Sequence, residues 1–298
     1  MPTTPLGGLM VPAVSTFDAN GDLDRASFIS NLDAHLGFGM DGVLVAGSSG
    51  ESALLDDNDR RQLLTWARAR VPSEKWLLAG IGSESTRQTI SRAQDAKGIG
   101  ADAALIVSPH YFLKRMTQAA LMSHFRAVAD ASPLPVMLYN IPVYAHVVMS
   151  PEFVHELAQH ENVIGMKDSA GNLPMLAEYL GAQSDSFRVL TGSGATMVPA
   201  LTAGVKGAIL AIALYAGPMV RQMLDLFTAG RVDEATALQE KLKPLATDIA
   251  GAMGPAGIKA AMTMTGLHGT VPRSPLLPVG DAELTSIRAG LQAAGAIT

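Results

Sequence analysis

Eight short apolar runs, each followed by a segment of helical periodicity, constrain this chain more than any other feature. They are LMVPAVSTF (9–17), GVLVAG (42–47), WLLAGIG (76–82), AALIVSP (103–109), PVMLYNIP (135–142), VIGMKDS (163–169), FRVLTGS (187–193) and GAILAIAL (207–214). Each is rich in Val, Ile, Leu and Ala without polar alternation, as a parallel strand buried on both faces must be. Between the runs, the spacing predicts a helix over 55–71, with Leu63, Leu64, Ala67 and Val71 on one stripe, and another over 116–131, with Leu121, Phe125 and Val128. Ser150 followed by Pro151 reads as an N-cap with proline at the first helical position. Eight βα units imply right-handed crossovers, and their number fits a closed barrel better than a doubly wound sheet. The expected fold class is α/β, a (β/α)₈ TIM barrel with additional C-terminal helices.

The chain has 298 residues, 48% of them hydrophobic, enough to bury a large core. We expect a catalytic barrel over 1–230 and a helical extension over 231–298. The extension reads as three helices near 233–251, 256–268 and 281–295, with Pro272, Pro275 and Pro278 stiffening the approach to the last. These helices would cap the barrel or form an interface. The formal charge of −5, the absence of a basic run and an aromatic content of 5% argue against a nucleic-acid partner. No stretch approaches about 18 continuous apolar residues, so no membrane span is expected. The apolar N-terminal segment lacks a charged flank and reads as a first strand, not a signal peptide, which makes the cytoplasm the expected compartment. With no cysteine, disulfides, thiolate chemistry and Cys-ligated metals are excluded.

Chemistry in such a barrel belongs at the C-terminal ends of the strands. Of eight lysines, only Lys167 lies inside an apolar strand near that end. Removing an amine from water favours its neutral, nucleophilic form. For a strand lysine taken alone, a pair with a carboxylate such as Asp168 is the plainer reading. Tyr139 ends the preceding strand, where a phenol can shuttle protons or simply bond to backbone. Gly47-Ser48-Ser49-Gly50-Glu51 follows the second strand; it reads either as an anion cradle of backbone N–H groups or as an ordinary βα turn.

Taken together, GSSGES, LYNIP and GMKDSAGN, in this order and spacing, resemble the motifs of the dihydrodipicolinate synthase/N-acetylneuraminate lyase superfamily of class I pyruvate-dependent aldolases. The similarity covers essentially the whole chain, including SPHY and the GSG…GAI stretch. The resemblance implies that Lys167 forms a Schiff base with pyruvate or another 2-oxo acid and that Tyr139 is the general acid/base. It implies that Ser48 and Ser49 bind the substrate carboxylate, Ser48 also bridging to Tyr139, with Gly192 and Ile209 contributing to substrate binding. It further implies an inter-subunit proton relay through Tyr111, supporting roles for Glu51 and Asn140, no metal or organic cofactor, and a homotetramer built as a dimer of dimers.

Two departures choose within that superfamily. Dihydrodipicolinate synthases carry an arginine where this chain has Tyr144, and a phenol cannot replace a bidentate guanidinium. N-acetylneuraminate lyases place acids after the glycine at the seventh strand, where this chain has Gly192-Ser193-Gly194-Ala195-Thr196. The phrase YNIP…GMKDSAGN is most similar to 2-keto-3-deoxy sugar-acid aldolases and 4-hydroxy-2-oxoglutarate-type aldolases, so the expected activity is cleavage of a 2-keto-3-deoxy sugar acid or 4-hydroxy-2-oxo acid to pyruvate and an aldehyde. The alternatives are 4-hydroxy-tetrahydrodipicolinate synthase, a hydratase-aldolase or dehydratase using the same imine, or a non-catalytic 2-oxo acid binder. A metal-dependent aldolase lacks a compact ligand set. His155 and His160 are spaced i, i+5 and do not share a helical face as i, i+4 zinc ligands do. His110 and His146 fall in loops at the active end, without an assigned role.

Overall fold

The computed structural model describes Pro2 and residues 4–298. Its strands are β1 (Gly8–Pro12), β2 (Gly42–Val45), β3 (Trp76–Gly80), β4 (Ala103–Val107), β5 (Val136–Asn140), β6 (Val163–Asp168), β7 (Arg188–Thr191) and β8 (Gly207–Ile209). All pair in parallel in sequence order, and β8 closes on β1 through Gly8 opposite Gly207. The helices are α1 (Arg25–Gly37), α2 (Asp57–Arg68), α3 (Thr86–Ile99), α4 (Gln118–Ala131), α5 (Pro142–Ala145), α6 (Pro151–Leu157), α7 (Leu173–Leu180), α8 (Met197–Ala203), α9 (Ala213–Thr228), α10 (Val232–Pro244), α11 (Gly254–Met264) and α12 (Asp281–Ala293). The chain is a (β/α)₈ barrel with extra helices after the eighth unit. No helix among the described residues is long and apolar enough to cross a membrane.

Two apolar layers explain the strand composition. One face of the strands, with Met10, Leu44, Leu78, Leu105, Met137 and Leu190, fills the barrel interior. The other packs against the helices through residues such as Val11, Val43, Leu77, Ile106, Leu138 and Val189. Caps set the helix starts. Asp56 accepts from Asp59 N while Asp59 accepts from Asp56 N, so α2 begins two residues later than its periodicity suggested. Ser150 caps α6 through Phe153 N, with Pro151 in its first turn. The apolar run 207–214 is a strand only as far as Ile209. From Leu210 it turns, Leu210 O accepting from Ala213 N, and its remaining apolar residues open α9. A fully buried run does not distinguish strand from helix by hydrophobicity, which is why the boundary was not visible in the sequence.

After α10 the backbone continues as a π-helical segment, Leu245–Gly251, and then turns into α11. Ala246, Ala250 and Gly251 of this segment, with Pro255 and Ile258 of α11, share a cavity wall with Tyr139 and Lys167 at the ends of β5 and β6.

Candidate active site

Strand register brings the two principal residues together. Tyr139 on β5 lies directly opposite Lys167 on β6, and the next pair, Asn140 and Asp168, points to the opposite side of the sheet. Lys167 is 4% exposed, and its Nζ donates to Tyr139 Oη at 3.3 Å while lying 4.5 Å from that ring's centroid. Asp168 is not its partner. Its carboxylate accepts from Asn140 Nδ2 at 2.7 Å and Ala170 N at 3.4 Å, behind the strand. Burial pushes the Asp168 carboxyl up, against those hydrogen bonds. Tyr179 and Asn140 complete this outer network, with Tyr179 Oη donating to Met149 O at 2.6 Å and Asn140 Oδ1 accepting from Met149 N. Asn140 thus orients the ends of β5 and β6 from outside the barrel.

The cavity in front of Lys167 has a volume of about 170 Å³. Ser48, Ser49, Tyr139, Tyr144, Ser169 and Ser193 supply its polar wall. Ile141, Val143, Ala211 and Ile212 line it from the barrel, and Ala246, Ala250, Pro255 and Ile258 from the extension. Ser48 and Ser49 stand in a short turn, Ser48–Gly50, bracketed by Ala46 and Glu51, both with φ of 57°. The turn's own bonds occupy the N–H groups of Gly50, Glu51 and Ser52. Those of Ser48 and Ser49 have no partner among the described residues, the arrangement that lets a turn receive an anion. Gly192 faces Lys167 from just past the end of β7, where a Cβ would lie 2.6 Å from Lys167 Cε and overlap Ser169 Oγ. Glycine there keeps open the space beside the amine.

An amine shielded from water, a phenol in contact with it, and an anion-receiving turn across a small cavity suit carbonyl chemistry on a carboxylate-bearing substrate. The model of the dihydrodipicolinate synthetase family matches residues 5–294. The chain belongs to that family. Members are class I aldolase/lyase-type enzymes, and this chain is accordingly an enzyme of the pyruvate-dependent, Schiff-base-forming lyase class. The 4-hydroxy-tetrahydrodipicolinate synthase of Desulforudis audaxviator is 32% identical over 293 residues, 98% of this chain and 99% of that protein. Dihydrodipicolinate synthase from Bacillus anthracis superposes with a TM-score of 0.92 at 29% identity, covering 97% of this chain and 99% of that one. YagE of E. coli K12, a prophage protein of the same family solved with pyruvate, gives 0.92 at 27% identity over 99% of this chain and 100% of that one.

Ile209 and Tyr111 stand apart from the cavity, whereas Ser48 and Tyr144 line it. Ile209, read as a substrate contact, is buried within the barrel's apolar interior, because β8 ends there and Ala211 and Ile212 form the cavity wall instead. Ser48 makes no hydrogen bond to Tyr139 among the described residues, the phenol being engaged by Lys167. Tyr111 is 77% exposed on the loop after β4, edge-on to Phe112. Tyr144 lies on the cavity rim in α5. Its hydroxyl is pushed above the usual phenol range, first by burial and then by neighbouring Tyr139, so it is a neutral donor at the place where a cation was sought. His110 pairs with Glu84 at 3.2 Å and His146 ends α5 in a left-handed conformation; neither lines the cavity. His155 bonds Glu178 O and His160 bonds Asp130, two separate surface contacts.

The sequence did not point to Ser169. Ser169 lines the cavity two positions beyond Lys167, and its Oγ is shielded from solvent without a hydrogen-bond partner among the described residues. Strand parity was the available signal, since residues i and i+2 share a face.

Proposed function

We propose that the chain cleaves, and in reverse forms, a 2-keto-3-deoxy sugar acid or related 4-hydroxy-2-oxo acid, yielding pyruvate and an aldehyde without a second carboxylate. The observation that carries this reading is the make-up of the cavity wall: among the described residues, no lysine, arginine or histidine lines it other than the reacting Lys167. Tyr144 offers at most one neutral donor in place of a bidentate guanidinium. In this reading Lys167 Nζ attacks the C2 ketone, and loss of water from the carbinolamine gives the protonated imine. The imine accepts the electron pair of the C3–C4 bond as it breaks, while Tyr139 takes the C4 hydroxyl proton. Protonation of the resulting enamine at C3 and hydrolysis release pyruvate and the free lysine. Ser48 and Ser49 hold the C1 carboxylate, Gly192 leaves room beside the imine, and the unpartnered Ser169 hydroxyl is available to the C4 oxygen.

A second reading is 4-hydroxy-tetrahydrodipicolinate synthase itself. The names of the curated relatives, 30–36% identical over more than nine-tenths of this chain, favour it over the first reading. That activity must hold the carboxylate of aspartate semialdehyde. Lys114 and Arg115, in a turn after β4, are the nearest cations in sequence and are not part of the cavity wall. Losing a charged hydrogen bond in a desolvated pocket costs about 2–3 kcal/mol, a factor of roughly 30 to 150 in kcat/KM. The test compares kcat/KM for condensation of pyruvate with aspartate semialdehyde against cleavage of a 2-keto-3-deoxy sugar acid. We expect the sugar acid to be preferred by at least that factor; preference for the semialdehyde establishes the second reading.

We further propose that residues 1–230 form the catalytic barrel and 231–298 an extension packed on it, and that the chain assembles as a homotetramer with Tyr111 at a subunit boundary. The exposed Tyr111, Phe112 and Leu113 support burial of this loop in an assembly. A cytoplasmic location is likewise proposed.

A further inference from the structure

Behind the Ser48–Ser49 turn lies a buried charged cluster that the proposed chemistry does not use. Glu51 closes the turn at φ 57°, a left-handed conformation uncommon for a residue with a Cβ. Its carboxylate is held by the C-terminal extension through both oxygens. Lys259 Nζ lies 2.5 Å from Oε1, and Arg273 N donates to Oε2 at 2.7 Å. Lys259 is 1% exposed, also donates to Val271 O at 2.7 Å, and lies 4.5 Å from the Phe17 ring centroid. The Arg273 guanidinium also lies over Phe17, at 4.3 Å. It donates to Gly21 O and Leu54 O and pairs with Asp59. Ser15 Oγ fixes the same turn by donating to Gly50 O at 2.7 Å. Ile258, adjacent to Lys259 in α11, lines the cavity together with Ser48 and Ser49.

We propose that Lys259 and Arg273 are positioning residues for substrate-carboxylate recognition. By clamping Glu51 they hold the turn so that the Ser48 and Ser49 donors remain turned to the cavity. The proposal rests on the reading of that turn as the carboxylate site. A buried carboxylate deprived of its cation must move to water or take up a proton. Because Glu51 directly follows the turn, either response shifts the donors, and a displacement on the order of 1 Å costs roughly 100-fold in a preorganised site.

The test measures borohydride trapping of Lys167 against pyruvate and against acetone, a ketone without a carboxylate, in the full-length protein. Lys259→Met should raise the half-saturating pyruvate concentration about tenfold or more while leaving acetone trapping unchanged. Should that variant fail to fold, the Glu51→Gln/Lys259→Met double variant, which leaves no bare carboxylate, carries the same expectation. A pyruvate half-saturation within about twofold of the parent in the folded variant overturns the proposal, and so does an equal loss for both ketones, which marks a general structural role. A Ser48→Ala/Ser49→Ala variant separates the two levels of inference. If it leaves pyruvate trapping unchanged, the carboxylate assignment fails and the positioning role with it. If it weakens pyruvate while the Lys259 variants do not, only the positioning role fails.

Discussion

Lys167 and Lys259 are both buried, and their surroundings treat them in opposite ways. Lys259 has a carboxylate at 2.5 Å, a carbonyl at 2.7 Å and an aromatic face, so its charge is provided for. Burial nonetheless pulls its amine below the ordinary lysine range, with Glu51 opposing. Lys167 has a phenol at 3.3 Å and a cavity. The nearest acid in sequence, Asp168, is turned to the other side of the strand by the period-2 alternation of side chains. A buried amine with its carboxylate is a structural clamp. One facing a small open space beside a proton carrier is arranged to react.

The largest effect should separate the two lysines. Lys167→Ala is expected to abolish turnover by at least about three orders of magnitude while retaining the far-UV circular dichroism and melting behaviour of the parent. Lys259→Met should do the reverse in stability, losing about 3–5 kcal/mol in chemical denaturation because it leaves Glu51 buried without its partner. Unchanged stability in Lys259→Met, or substantial turnover in Lys167→Ala, would collapse the contrast.

A smaller loss is expected at the phenol. Tyr139→Phe should reduce turnover by about 10²- to 10⁴-fold, the range of a general acid/base, while still permitting a pyruvate adduct at high concentration. Single-turnover kinetics alongside reductive trapping will distinguish this from failure to bind.

A third buried base extends the comparison, with the smallest effect. His124 is 7% exposed and, among the described residues, receives neither a carboxylate contact nor a place in the cavity; its Nδ1 lies 2.9 Å from Thr86 Oγ1. Burial holds its pKa down at about 4, against a weak opposing pull from Glu84. Between its ordinary value near 6.5 and about 4, the unfolded chain takes up a proton that the folded chain refuses. Stability from this group is therefore complete above about pH 6.5 and falls as pH drops toward 4. Urea midpoints measured across that window should decline less steeply in His124→Gln than in the parent. Parallel curves would mean that His124 does not titrate in this way.

Much of the barrel was legible because each strand is a continuous apolar run and the helices between them carry periodic stripes. Lys167 was legible because it interrupts such a run near its end. The end of β8 was not, since Leu210 and the residues from Ile212 to Leu214 remain buried after the backbone turns into α9. The choice between Asp168 and a cavity as the surroundings of Lys167 also stayed open in the sequence, because it depends on which side chains two adjacent strands bring into register. Glu51 and Lys259 lie far apart along the chain, and Arg273 is 222 residues from Glu51, so their convergence has no local signature. The extension's share of the cavity wall was equally hidden: Ala246, Ala250 and Ile258 look like ordinary helix residues until the π-helical segment and α11 bring them to the cavity.

The most direct test of the account is reductive trapping with pyruvate. Incubation of the full-length protein with pyruvate and borohydride, followed by intact-mass and peptide mass spectrometry, should reveal a single reduced pyruvate adduct carried by the peptide containing Lys167. An adduct on Lys259 or any other lysine, or none at saturating pyruvate, would contradict the assignment of Lys167 as the imine-forming residue.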